Sequence, residues 1–194
     1  MKTLLIIFGV LFLLFLGSQI YLYKSSHDIE GYKYVVIKSY ADFEIRKYEA
    51  SLFTSVKLDT DDYKQASSNG FSILGGYIFG KNEQKEQISM TSPVAMTLED
   101  EMTMMFLVPK EITKENLPKP ENSAIQFIEM PEKKMAAISF NGWASNEKIE
   151  KYKVELIKLL DENGIKYSNT FSVLGYNPPF EILFRKNEII VELE

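Results

Sequence analysis

Hydrophobic positions change their spacing several times along the chain, and each change predicts an element. Thr3 to Tyr23, TLLIIFGVLFLLFLGSQIYLY, carries no charge over about 21 residues, close to the roughly 20 needed to cross a bilayer core. Lys2 and Lys24 bracket it, and Tyr21 and Tyr23 suit a membrane interface. A polar stretch, SSHDIEG, follows from Ser25 to Gly31, and β-rich runs then cover Tyr34–Lys38, Phe43–Tyr48 and Ser51–Leu58. Ala41-Asp42 reads as a tight turn between the first two. From Asp61 to Phe79 the period becomes helical: Tyr63, Ala66, Gly70, Phe71, Leu74, Tyr77 and Ile78 share one face. Asp59 or Thr60 is expected to cap this helix and Gly80 to stop it. Gly75-Gly76 is costly in a helix interior, so a kink or a close neighbour is expected there.

Strict alternation returns at Ile88, Met90, Ser92, Val94, Met96 and Leu98, and again at Met102, Met104, Phe106 and Val108. The pattern predicts a hairpin with Glu99-Asp100 at its tip. A three-residue loop, Leu98 to Asp100, would pair Met96 with Met102 and Val94 with Met104, keeping both rows on one face. Pro93 cannot donate to a ladder, which predicts an edge strand or a bulge. Beyond the connector LPKPEN at Leu117–Asn122, strands are expected at Ala124–Met130 and Met135–Asn141. A second helix covers Glu147–Glu162, capped by Asn146 and ended by Gly164. Strands at Phe171–Tyr176, Phe180–Phe184 and Glu188–Leu193 close the chain.

Local echoes, FSILGGYI at Phe71 against FSVLGYNP at Phe171 and MTMMFLVP against NEIIVELE, point to two similar halves. The expected class is α+β: a distorted antiparallel β-barrel with two flanking helices and a pseudo-two-fold repeat, preceded by an N-terminal transmembrane helix. Residues 1–24 form the anchor, 25–31 a linker and 32–194 the folded domain. The rival for the first segment, a cleaved signal peptide, is less favoured because no A-x-A site follows the apolar run. Lys2 favours a short cytoplasmic tail with the body on the extracytoplasmic side.

Composition narrows the chemistry. The 194 residues contain no cysteine and one histidine. That removes disulfides, zinc–thiolate sites and cysteine nucleophiles. Net charge is −5, with Lys2 and Lys24 in the anchor, so the body is acidic and unsuited to nucleic acid. No Gly-rich phosphate loop, no H-E-x-x-H and no base able to activate a serine is visible. The chain therefore reads as a binding protein, not an enzyme, with no catalytic residue and no metal site expected.

Several stretches together resemble the SOUL haem-binding protein family: FEIRKYEA at Phe43, GFSILGGYIFGKN at Gly70, ISMTSPVAM at Ile88, MMFLVP at Met104, FNGW at Phe140, LGYNPPF at Leu174 and RKNEI at Arg185. The resemblance covers about Tyr32 to Glu194. It implies a distorted barrel with a shallow apolar cleft for haem or another tetrapyrrole beside the first helix. Haem is then a possible cofactor that the sequence does not require. Lys64, Phe71 and Leu74 on that helix, with Met90, Met96 and Met104 from the hairpin, are the expected ligand-binding residues. Lys64 or Lys81 can pair with a propionate. The methionines read first as core filling and second as lining of the cleft. His27, the only histidine, sits in the linker and is a poor candidate for an iron ligand. Trp143 reads as a packed anchor. The fold is also similar to GyrI-like drug-binding domains, where a buried glutamate meets cationic ligands; Glu181 and Glu188 are candidates by location. The function expected is a membrane-anchored carrier, buffer or sensor for haem or a similar flat apolar molecule. The alternatives are a GyrI-like binder of amphipathic cations and an interaction module without a small ligand.

Overall fold

The structure, a computed structural model, describes residues 2–27, 29–99 and 101–194, without the side chains of residues 5, 23 and 25–27. Asp100, at the expected hairpin tip, lies outside the described residues, as does the side chain of His27. Among the described residues, three α-helices and nine strands follow in the order α1 Lys2–His27, β1 Tyr34–Ser39, β2 Glu44–Tyr48, β3 Ser51–Lys57, α2 Tyr63–Ile78, β4 Val94–Thr97, β5 Thr103–Leu107, β6 Ile125–Met130, β7 Lys133–Asn141, α3 Asn146–Glu162, β8 Tyr167–Gly175 and β9 Lys186–Leu193. All nine strands join one antiparallel sheet in the order β1-β2-β7-β9-β8-β4-β5-β3-β6. The sheet curls but does not close, because β1 and β6 each have only one neighbour. The expected barrel is therefore an open half-barrel. Phe180–Phe184, expected as a strand, is irregular chain between β8 and β9.

Alternation sorts the strand residues onto two faces. Val56, Met96, Met104, Phe106, Ile138, Phe140, Val173, Ile189 and Val191 share one core with Ala66, Leu74, Tyr77 and Ile78 of α2 and Ile149, Leu156 and Leu160 of α3. Phe53, Ala95, Met105, Leu107, Ala137, Leu174 and Ile190 form a separate core on the opposite face. That face is crossed by a strap. Ser92 accepts from Tyr32 N–H at 3.1 Å and donates to Glu30 O at 2.9 Å, and Glu49 N–H donates to Lys33 O at 3.0 Å. The strap sets the Tyr32 ring 4.6 Å from Tyr48 and 5.2 Å from Phe53.

Long-range pairing corrects several local expectations. Met96 pairs with Met104 and Val94 with Phe106, so the connection is two residues longer than expected. A shift of two preserves the face, and both rows of methionines remain on the helix side. Pro93 precedes β4 rather than lying in an edge strand; β4 is central, between β8 and β5. Phe71 is in α2 and Phe171 in β8, so that echo does not join equivalent positions. Asp62 caps α2, accepting from Gln65 N–H at 2.7 Å, in place of Asp59 or Thr60. Asn146, expected to cap α3, serves α2 instead: its Oδ1 accepts from Tyr63 N–H at 2.8 Å. Ser145 caps α3. Gly80 ends α2 with a positive φ of 103°, as its position at the end of the helical pattern predicts.

The closest backbone approach on α2 is at Gly70. A Cβ there would lie 2.8 Å from Met104 Sδ and 3.0 Å from Leu58 Cδ1. The helix thus rests directly on the methionine row, and only glycine fits the crossing.

Candidate functional site

On α2 the glycine pair lets two side chains pack directly onto the helix backbone. The Phe71 ring lies over Gly75, with ring carbons 3.2 and 3.3 Å from where a Cβ would be, and the Lys81 stem lies over Gly76 at 3.1 Å. Of the two expectations for Gly75-Gly76, a kink or a close neighbour, these contacts answer to the second. Phe71 is 38% exposed and Phe79, two helical turns further on, 58%. The inner edge of Phe71 meets Phe106 at 5.5 Å between ring centroids. The outer side of α2 therefore presents the exposed rings of Phe71 and Phe79, with Gly75 buried beneath Phe71, Gly76 half-buried beneath Lys81, and the exposed Lys64 near the other end.

The six residues expected to bind ligand are divided between this outer side and the core. Lys64 and Phe71 are exposed, and Met90 is half-buried. Leu74, Met96 and Met104 lie inside the core between α2 and the sheet, at 0%, 2% and 1% exposure. The Met96 and Met104 thioethers are buried with Leu74 and do not reach the outer surface of α2. The outer side of α2 thus presents an apolar aromatic surface and two ammonium groups. Among the described residues, no group of three or more His, Asp or Glu side chains is placed to hold a metal ion. Trp143, expected to be packed, is 54% exposed, and the Arg185 guanidinium stacks on it at 3.9 Å.

A second constellation lies on the opposite face, around Glu188. Its carboxylate accepts from Arg46 Nη1 at 2.8 Å and Nη2 at 3.0 Å, from Ser139 Oγ at 2.9 Å and from the Tyr176 hydroxyl at 2.6 Å. Lys186 Nζ adds an ion pair at 2.9 Å. Arg46 also donates to Glu44 at 2.8 Å and to the Tyr48 hydroxyl at 3.2 Å, and stacks on Tyr34. Glu188 is fully buried and Arg46 nearly so. Burial alone would raise the Glu188 carboxyl, but hydrogen bonds and charge from Arg46, helped by Lys186 and Tyr176, hold it down at about 2. Burial raises Tyr176, and the Glu188 charge raises it further. Burial also pushes Tyr32 up to about 12.

Five donors converge on Glu188, filling the lone pairs an ionised carboxylate offers. Glu188 was a sequence candidate for meeting a cation, and its place is occupied by Arg46. Glu181, the other candidate, is buried in the β8–β9 loop, where its carbonyl accepts from Arg185 at 2.8 Å. Sequence reasoning did not single out Arg46, Tyr48, Ser139 or Tyr176. The available signal was the period of β2: Phe43 and Ile45 point to the helix-side core, so Glu44, Arg46 and Tyr48 must share the other face.

Comparison with known proteins fits this geometry into a family. Heme-binding protein 2 of Mus musculus is 30% identical over 156 residues, covering 76% of each chain. Heme-binding protein 1 of Xenopus laevis is 25% identical over 155 residues, covering 76% of this chain and 81% of that protein. Among solved structures, the EcmrR C-terminal domain matches with a TM-score of 0.60 at 12% identity, covering 78% of this chain and 96% of that one. A hydrolase from Listeria innocua matches at 0.59 and 10% identity, covering 81% and 94%. At such identities the structural matches speak to fold alone: a curled antiparallel sheet with helices. The family described as SOUL heme-binding protein matches residues 29–192, and the chain belongs to that family, in which haem is an admissible ligand.

Proposed function

We propose that this protein is a membrane-anchored binder of haem or a similar flat tetrapyrrole, acting as a carrier, buffer or sensor rather than as an enzyme. The ligand is held on the outer face of α2 by stacking and charge pairing. The observation that carries this reading is the pair of exposed rings, Phe71 and Phe79, on the outer side of α2, with the exposed Lys81 and Lys64 on the same segment. A flat apolar ligand laid there removes aromatic surface from water, and an ammonium can meet a propionate. Met90, half-buried against the same core, is included in the proposed contact. Leu74, Met96 and Met104 contribute as the packed support that holds α2 in place. When bound, haem would supply its iron and conjugated ring, while Phe71, Phe79, Lys64 and Lys81 would hold it.

Two features support the anchor. α1 is long and apolar enough over Lys2–Leu22 to cross a bilayer, a test that a signal sequence also passes, and no A-x-A motif follows it. Lys2 supports placing the domain on the extracytoplasmic side. A two-fold organisation is supported by the sheet order itself. Exchanging β2–β5 for β6–β9, each with its counterpart, reads the eight-strand series β2 to β6 backwards. The reading as a binder of cations is weakened by the saturation of Glu188.

Haemin titration of the full chain tests the proposal. A Soret shift is expected for the protein and for His27→Ala, with affinity lowered about tenfold or more in Phe71→Asp, since an exposed charge replaces the stacking ring. Equal affinities for Phe71→Asp and the parent, or no shift at high micromolar haemin, would overturn it.

A further inference from the structure

The β8–β9 connection exposes side chains that a water-soluble surface normally hides. Phe180 is 58% exposed, Ile182 49%, Leu183 48% and Phe184 49%, consecutive but for the buried Glu181. The loop is nevertheless built rigidly. Arg185 Nη1 donates to Pro178 O and Glu181 O at 2.8 Å each, and its guanidinium stacks on Trp143. Asn177 Oδ1 accepts from Lys186 N–H at 2.6 Å. A contiguous, preorganised apolar protrusion marks a contact surface.

What it contacts is indicated by α1. Gln19 is the one buried side chain described in that helix, whose other described residues are exposed except the half-buried Leu16 and Leu22. Its Oε1 accepts from Ile182 N–H at 2.9 Å, and its Nε2 donates to Phe180 O at 3.5 Å. An amide inside the apolar run is thus satisfied by the backbone of the loop. Gln19 lies three residues before Leu22, the end of the apolar span, or about 4.5 Å along the axis. A loop bonded to that level of a spanning helix sits at the boundary between acyl chains and headgroups.

We propose that the Pro178–Phe184 loop is a second membrane-contacting element, inserted into the bilayer interface beside α1. Phe180, Ile182 and Leu183 enter the boundary region, Gln19 pins the loop to the helix, and the domain is held at a fixed tilt with the β8–β9 end against the membrane. The occupant of the patch is lipid, without a requirement for anionic headgroups, because the loop's insertion is apolar. This inference rests on the reading of α1 as a membrane span.

The chain has no cysteine, so single cysteines can be labelled without background. The full chain in phosphatidylcholine vesicles carries a nitroxide at Leu11→Cys, Ile182→Cys, Leu183→Cys or Val154→Cys in turn. Collision rates with oxygen and with a water-soluble nickel chelate are then compared. Oxygen is expected to dominate several-fold at positions 11, 182 and 183, and the chelate at 154 on α3. If positions 182 and 183 are as wet as 154 while 11 is lipid-exposed, the loop proposal falls and the anchor stands. An aqueous position 11 overturns both.

Discussion

The two faces of the sheet solve burial in different ways. Beneath the helices the strand residues are almost all apolar, and α2 is brought close enough that Gly70 lies against Met104. On the opposite face an apolar core coexists with a buried carboxylate, a guanidinium and tyrosines, joined by hydrogen bonds across β2, β7, β8 and β9. The first face depends on fit. The second depends on completeness, since a buried charge without its partner costs far more than the pair gains.

That difference is broken most directly at Arg46. Arg46→Met leaves Glu188 buried without its principal partner and is expected to lower stability by about 3–5 kcal/mol in chemical denaturation. The double variant Arg46→Met/Glu188→Leu should recover most of that loss, and a double variant no better than the single one would show that the pair is not the cause. Acid acts on the same cluster next. Folding depresses the Glu188 carboxyl from 4.5 to about 2, so its contribution is complete above pH 4.5 and is lost as pH falls toward 2. The expected decline is about 3 kcal/mol for a shift of this size, measured as denaturation midpoints between pH 6 and pH 2. A Glu188→Leu background should flatten that decline. The smallest effect is on the helix side: Gly70→Ala is expected to cost about 1–3 kcal/mol by overpacking against Met104. Because that loss arises from fit, it should be independent of pH across the same range. A pH-dependent loss would blur the distinction between the faces.

The sequence was legible where one local pattern determines the answer. The apolar stripes of α2 and α3, the positive-φ stops at Gly80 and Gly164, and the alternation of β4 and β5 all describe neighbours a few residues apart. It was less legible where the answer comes from distant chain. Closing the sheet or leaving it open depends on whether β1 meets β6, which no local period encodes. Arg46 and Glu188 are 142 residues apart; Glu188 was a candidate to meet a cationic ligand, but nothing local pointed to Arg46 as its partner. Asn146 sits where a cap for α3 is expected, yet the meeting of the two helix N-termini turns it toward Tyr63. Of the expected ligand residues, the helical period correctly brought Phe71 and Leu74 close together, but the outer side of Phe71 and the inner position of Leu74 differ by less than the width of the stripe. The cover over Gly75-Gly76 arises from the way Phe71 and Lys81 fold back on the helix, a rotamer choice beyond the reach of periodicity.

The strap from Glu30 to Tyr34 has a practical meaning for any shortened form of the chain. Trimming at the first residue of β1 would remove Tyr32 from Tyr48 and Phe53 and leave a greasy, partly charged hollow open to water. Severing the chain just after α1 would release an intact body, whereas a cut a few residues later would release a sticky one.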